Sequence, residues 1–187
     1  MKNILGCLIS AFVGLLASGW TASAVSAEVA MDTPSAGTVL ITGANRGLGF
    51  HFAEQFAADG WHVIATARRP DEADALLQLA SRYANLEIAK LDITDDADIA
   101  KLAQELANQP VDVLLNNAAR LGELSRQKFG TLDFELFAEI LQTNVVGTLK
   151  VTEALLRNVA ISTQKKVVVM GSAAGSNTMG HDAPNLY

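Results

Sequence analysis

The sequence contains almost no cysteine and has no excess of basic residues, and each absence excludes a class of protein. Cys7 is the only cysteine in 187 residues, so the chain forms no internal disulfide and cysteine usage does not reveal its redox compartment. A formal net charge of -6 argues against a general nucleic-acid binder, because binding phosphates over a surface requires a basic face. With 50% hydrophobic and 18% charged residues, the composition indicates one globular domain with a sizeable core.

Histidine is equally scarce. The three histidines, His51, His62 and His181, fall in a predicted helix, strand and loop, with no metal-ligand spacing and no nucleophile partner. The sequence therefore predicts no metal site.

The first 27 residues have the layout of a secretory signal peptide. Lys2 precedes an apolar run over residues 4–20, and small residues then offer cleavage sites after Ala24 or Ala27. We expect an exported, periplasmic protein. The alternatives are an uncleaved membrane anchor, because the run approaches the length of a spanning helix, and a misassigned start upstream of a cytoplasmic protein. Residues 28–37 read as a linker.

From residue 38 onward, short apolar runs alternate with amphipathic segments. Strands are predicted over residues 39–42, 61–66, 86–90, 111–115 and 166–170. Helices are predicted over residues 47–59, 71–82, about 95–107 and about 133–159, with Leu76, Leu77 and Leu79 as the buried stripe of the second and Thr94 or Asp95 capping the third. This alternation predicts one α/β domain over residues 38–187: a Rossmann-type doubly wound parallel sheet in three layers, α/β/α, incomplete at its C-terminal side.

A glycine-spaced turn joins the first strand to the first helix. Gly43, Gly47 and Gly49 follow the pattern Gly-x3-Gly-x-Gly, which matches the commoner dinucleotide fingerprint only in part. A strand that turns on glycines into a helix directs backbone N–H groups and the positive helix end toward one point, where a diphosphate can sit. We therefore predict a nucleotide site that also includes Asn45, Arg46 and Leu48.

Polar residues follow the other strands at the same predicted edge. Arg68 and Arg69 follow the second strand, where an acidic residue would otherwise bind a ribose 2′-hydroxyl, so these arginines and Arg46 favour NADP over NAD. Asp92 after the third strand is predicted either to accept a hydrogen bond from adenine or to begin a helix. Asn117 after the fourth strand is predicted either to brace the strands beside the cofactor or to form an Asx turn.

Taken together, these motifs resemble the short-chain dehydrogenases/reductases, and are most similar to the carbonyl-reductase and C-factor-like branch. The resemblance covers residues 38–187, with alanine at position 119 where the family usually has glycine. It is carried by Thr42-Gly43-x3-Gly47-x-Gly49, Asp92, Asn116-Asn117-Ala118-Ala119, Asn144, Ser172 and Tyr187.

The resemblance implies hydride transfer between a nicotinamide and a small-molecule carbonyl or alcohol. In the reducing direction, it implies that Tyr187 gives its phenolic proton to the carbonyl oxygen and that Ser172 hydrogen-bonds that oxygen. Asn144 is expected to support a water-linked proton path. Ser176 is the alternative serine, and Ser172 is preferred because it lies closer to the end of the strand.

The resemblance also implies a lysine four residues after Tyr187, beyond the end of this sequence, where the family's dimer-building helix would follow. We therefore expect the sequence to be the first part of a longer NADP-dependent reductase of a usually homo-oligomeric family. The alternative is a non-catalytic nucleotide-binding fragment or an inactive truncation product. If the protein lacks the last strands of the family's sheet, residues 167–170 of the fifth strand are predicted to become an uncovered apolar edge.

Overall fold

A computed structural model describes residues 36–172 of the protein. These residues form a five-stranded parallel sheet with helices on both faces, as the alternating pattern predicts. The strands are β1 (Thr38–Ile41), β2 (His62–Ala67), β3 (Leu86–Lys90), β4 (Val113–Asn116) and β5 (Lys166–Val169). The helices are α1 (Gly47–Ala58), α2 (Asp74–Arg82), α3 (Asp96–Glu105), α4 (Phe134–Leu141) and α5 (Thr148–Ala160).

The strand order is β3-β2-β1-β4-β5, so the chain moves outward from β1 first to one side and then to the other. The reversal of direction lies between β1 and β4, where Leu40 pairs with Leu114. In open α/β sheets, ligands bind outside the carboxyl ends of the strands at such a switch point. The topology therefore places the site beside the glycine turn that follows β1.

The two faces of the sheet bury separate apolar clusters. Val39 and Ile41 of β1 pack with α1 and α2, whereas Leu40 points to the opposite face and packs with α3 and α5. All three side chains are fully buried. This double burial explains why β1 is a continuous apolar run without alternation.

Three sequence expectations differ in detail from the structure. Leu77 is 44% exposed, so its predicted place in the buried stripe of α2 is wrong, whereas Leu76 and Leu79 are fully buried. The helix predicted over residues 71–82 begins instead as a 3₁₀ turn, Pro70–Glu72, before α2 starts at Asp74. The fourth strand begins at Val113, two residues later than predicted.

The long helix predicted over residues 133–159 contains a change of helical pitch. One turn of π-helix, Gln142–Gly147, separates α4 from α5. Gly147 permits close packing there, because a Cβ at this position would lie 2.6 Å from the carbonyl oxygen of Ile93. Single π turns inside α-helices occur frequently at functional sites, and this one contains Asn144.

Side-chain caps fix the starts of two helices. The Asp95 carboxylate accepts hydrogen bonds from the backbone N–H groups of Ala97 and Asp98, so Asp95, and not Thr94, caps α3. The Asp133 carboxylate caps α4 in the same way and also binds the Arg126 guanidinium. These contacts lower the pKa of Asp133, the backbone hydrogen bond from Leu136 being the largest cause and the bond from Arg126 the next.

At the amino end of the sheet, Asp112 ties three segments together. One carboxylate oxygen accepts the N–H of Thr38, and the other accepts the N–H groups of Thr163 and Gln164. Burial by itself would raise the pKa of Asp112, but these three hydrogen bonds favour the charged form and together hold the pKa below its ordinary value. The carboxylate therefore joins β1 and β4 to the turn that precedes β5.

The last described strand is exposed. Val167, Val168 and Val169 of β5 are 41%, 37% and 61% exposed, and the apolar edge stays a prediction. Within residues 36–172, no helix is long and apolar enough to cross a bilayer. The predicted signal peptide and Ser176, His181 and Tyr187 lie outside the described residues, so export and the role of Tyr187 stay predictions.

Candidate functional site

A cleft of about 740 Å³ opens at the carboxyl ends of the strands. It is bounded by the glycine turn after β1 and by the segments that follow β2, β3 and β4. Seven of the residues proposed from the sequence line it: Gly43, Arg46, Gly47, Leu48, Arg68, Asp92 and Asn117. Residues far apart in the chain therefore meet at one cavity, as expected for a parallel sheet.

The glycine turn is shaped by two different constraints. Gly47 has φ of +58°, a left-handed conformation that side chains disfavour, and no heavy atom lies within 4 Å of where its Cβ would be. Gly49 lies against the neighbouring loop, and a Cβ there would be 2.3 Å from the Gly43 carbonyl oxygen and 2.5 Å from the Asn117 amide nitrogen. Gly47 thus permits the turn, and Gly49 permits α1 to begin close to the sheet.

Asn117 braces the glycine turn. Its side-chain amide donates hydrogen bonds of 3.0 Å and 3.1 Å to the carbonyl oxygens of Thr42 and Gly43. The Thr42 hydroxyl, which is buried, accepts the backbone N–H groups of Asn117 and Ala118 in return. Of the two sequence interpretations of Asn117, the structure therefore matches bracing of the strands.

We predict that Thr42→Val will destabilise the fold by about 2 kcal/mol, because it leaves two N–H groups without their acceptor in a nearly isosteric substitution. Thr42→Ser keeps the hydroxyl and is the matched control. Urea unfolding of the full chain measures both variants. Equal midpoints for the valine and serine variants would show that the hydroxyl contributes nothing.

Two arginines reach the cleft from neighbouring strand ends. Arg46 lies in the glycine turn and Arg68 follows β2, and both are exposed. Among the described residues neither forms a salt bridge, whereas Arg69, next in the chain, pairs with Glu72 at 2.7 Å and does not line the cleft. Arg46 and Arg68 are therefore available to an anionic ligand.

Asp92 is fixed by a local turn. Its Oδ1 accepts the backbone N–H and the hydroxyl of Thr94, at 2.9 Å and 2.7 Å. It lines the cleft and does not cap α3, so the helix-start interpretation of Asp92 is wrong.

Asp98, in α3, supports the backbone of Asp92. Its carboxylate accepts the N–H of Asp92 and pairs with Lys90, 2.8 Å away. The Lys90 hydrogen bond is the main cause that lowers the pKa of Asp98, against the opposing effect of burial.

Asn144, in the π turn, holds the segment after β4. Its Oδ1 accepts the N–H of Arg120 at 2.8 Å, and its amide donates to the carbonyl oxygen of Arg120 at 2.9 Å. This reciprocal pair anchors the Arg120 backbone beside the cleft. The side chain of Asn144 is thus engaged with the chain itself.

The remaining predicted residues are placed differently. Asn45 is exposed in the glycine turn and does not line the cleft, and Gly49 lies behind the turn as described above. Ser172 is exposed, beyond the end of β5. Tyr187 lies outside the described residues, so the proposed catalytic group of Asn144, Ser172 and Tyr187 stays a prediction.

Sequence reasoning gave no role to four residues that shape the site. Thr42 supplies the bracing hydroxyl, Gly147 permits packing on the loop after β3, and Arg120 and Thr143 line the cleft. Thr42 is part of the first quoted motif, but its function, like that of Gly147, depends on contacts between distant segments. Within residues 36–172, no three His, Cys, Asp or Glu side chains converge as a metal site.

The strand order, the glycine turn and the cleft at the switch point define a Rossmann-like α/β protein. Residues 37–184 match the sequence model of the short chain dehydrogenase family, and the chain belongs to that family.

Three relatives illustrate the similarity. Sulfoacetaldehyde reductase 2 of Chromohalobacter salexigens is 33% identical over 140 residues, which cover 73% of this chain and 55% of that protein. A carbonyl reductase from Pseudomonas aeruginosa in complex with NADP superposes with a TM-score of 0.69 at 28% identity, covering 80% of this chain and 67% of that one. The NADPH-bound carbonyl reductase from chicken fatty liver superposes with a TM-score of 0.65 at 29% identity, covering 77% of this chain and 60% of that one. The chain thus spans little more than half the length of the curated relative.

Proposed function

We propose that this chain carries the cofactor-binding part of an NADPH-dependent reductase that converts a small-molecule carbonyl to an alcohol, in the carbonyl-reductase-like branch of the family. The observation that carries the proposal is the placement of Arg46 and Arg68 on the same cleft as the glycine turn. A guanidinium binds a phosphate by charge and by paired hydrogen bonds, so two of them favour a ribose 2′-phosphate. The NADP-bound carbonyl reductase among the structural relatives supports this choice.

The described residues fit a dinucleotide. The close approach of Gly49 to Gly43 leaves no space for a side chain, and α1 begins at Gly47 with its N–H groups free to face an anion. When bound, the nicotinamide supplies the hydride. Asn117 and Thr42 hold the turn in shape, Arg46 and Arg68 neutralise the 2′-phosphate, and Asp92 receives the adenine amino group.

For the proton, the proposal retains the three residues suggested by the family. Tyr187 donates it to the carbonyl oxygen, Ser172 hydrogen-bonds that oxygen, and Asn144 supports a water-linked proton path. The hydrogen bonds between Asn144 and Arg120 support the last of these assignments, because they join the π turn to the segment bordering the cleft.

The cofactor choice is tested with the double variant Arg46→Ala/Arg68→Asp. We expect NADPH affinity to fall by about 30-fold or more, because two charge-assisted contacts are lost, while NADH affinity changes by less than about threefold. Fluorescence titration of the full chain measures both. Arg69→Ala is the control, since that side chain pairs with Glu72 outside the cleft. Unchanged NADPH affinity in the double variant would show that the two arginines are surface charges.

A further inference from the structure

Arg120 is a third cation on the cleft. It follows β4, and its neighbours Leu121 and Gly122 line the same wall. Among the described lining residues, the charged ones are Arg46, Arg68, Arg120 and Asp92. The cleft is therefore positive in a chain whose formal net charge is -6.

The strand order separates Arg120 from the other two cations. Arg46 follows β1 and Arg68 follows β2, while β4 lies on the other side of β1. A phosphate held by Arg46 and Arg68 is thus bound at one half of the cleft, and Arg120 borders the other half. The proposed binding of the cofactor gives no role to Arg120.

The position of Arg120 is fixed from two sides. Asn144 binds both its N–H and its carbonyl oxygen, and the Glu139 carboxylate lies 2.7 Å from Nη2 of its guanidinium. Glu139 and Asn144 both belong to the helical segment that includes the π turn. The backbone clamp means that Arg120 must remain beside the cleft whichever partner its side chain has.

The ion pair with Glu139 is of a kind that a ligand can replace. The side chains are 49% and 56% exposed, and pairs between exposed charges contribute little to stability. Within residues 36–172, the salt bridge of Arg120 joins its Nη2 to Oε2 of Glu139. A guanidinium has five N–H donors, so others are left for a second carboxylate.

We propose that Arg120 is a specificity-determining residue that binds an anionic group, a carboxylate or similar oxyanion, on the carbonyl substrate. Glu139 acts as its internal competitor in the empty cleft. This inference rests on the proposed function and names the substrate class of the same site: a small aldehyde or ketone that carries negative charge.

The test uses the full chain saturated with NADP, which has no hydride to give, so that an aldehyde binds without being consumed. Calorimetric titration compares 4-carboxybenzaldehyde with benzaldehyde. We expect the carboxylate to bind at least about tenfold more tightly, and Arg120→Met to remove that advantage while keeping its backbone contacts with Asn144. Glu139→Gln should strengthen carboxylate binding several-fold, because it removes the competitor. Arg69→Met is the matched control and should behave as the unaltered chain.

We expect Arg120→Met to weaken carboxylate binding and Glu139→Gln to strengthen it. A purely structural role of the ion pair would instead weaken binding in both variants. An equal affinity for the two aldehydes in the unaltered chain, or a carboxylate preference that survives in Arg120→Met, overturns the inference alone. So does a tenfold loss of NADP affinity in Arg120→Met, which would assign this cation to the cofactor. If the unaltered chain does not bind NADP, the proposed function fails and the inference fails with it. Should Arg120→Met not fold, the Glu139→Gln titration decides.

Discussion

Gly49→Ala is expected to weaken NADPH binding by about 100-fold or more. A methyl group at this position would lie 2.3 Å from the carbonyl oxygen of Gly43 and 2.5 Å from the amide nitrogen of Asn117, so α1 and the glycine turn must separate. A displaced turn no longer presents its N–H groups at one point. The loss of two charge-assisted hydrogen bonds to phosphate, each contributing about 1.5 kcal/mol or more, corresponds to that factor.

The same variant should also lose stability, by about 1 to 3 kcal/mol, because the obstructing atoms belong to backbone and a fixed amide and cannot rotate away. Fluorescence titration and urea unfolding separate the two effects. Gly60→Ala provides the comparison: Gly60 has φ of +80°, no heavy atom lies within 4 Å of its Cβ position, and it precedes β2 at the far end of the sheet. Gly60→Ala should lose some stability and no affinity. A similar NADPH affinity for both variants would contradict the proposed position of the diphosphate.

The second large effect is expected at Asp112. Asp112→Ala removes the acceptor of three backbone N–H groups, those of Thr38, Thr163 and Gln164, at a position with only 9% exposure. Buried donors left without a partner are costly, so we expect a loss of about 3 kcal/mol in the free energy of unfolding. Denaturant unfolding at neutral pH measures it.

The pH dependence gives an independent readout of the same group. The pKa of Asp112 is lower in the folded chain than in the unfolded chain, where it is about 3.9. The unfolded state therefore binds the proton first on acidification. The stabilisation by the Asp112 carboxylate is present above about pH 4, and it is lost as the pH falls through the pKa of Asp112 in the folded chain. Asp112→Asn should make stability less dependent on pH in that acidic window.

Asp59→Asn is the control for both measurements. The Asp59 carboxylate is exposed and, within residues 36–172, accepts a single side-chain hydrogen bond, from Gln55 four residues away. It should leave stability nearly unchanged. If Asp112→Ala and Asp59→Asn unfold at the same urea concentration, Asp112 does not join the strands in the manner described.

The fold was largely predictable because its signals are local. Five apolar runs separated by amphipathic segments require parallel strands with helical crossovers, and the predicted strands agree with the observed ones to within about two residues at each end. The error at Leu77 has a physical reason. Spacing alone placed it beside Leu76 and Leu79, but only the packing of α2 on the sheet selects which flank of the stripe is covered, and Leu77 lies outside it.

The sequence alone determined the α/β class, the position of the glycine turn and the candidate cations Arg46 and Arg68, because each follows from residue type and spacing within a few positions. Tertiary structure decided how the site is supported. Thr42 and Asn117 meet across 75 residues, and Arg120 and Asn144 across 24, and no local pattern specifies such contacts. Thr42 and Asn117 meet because parallel strands bring their carboxyl ends to one edge. Asn144 reaches Arg120 because the helical segment that contains the π turn packs beside the loop after β4.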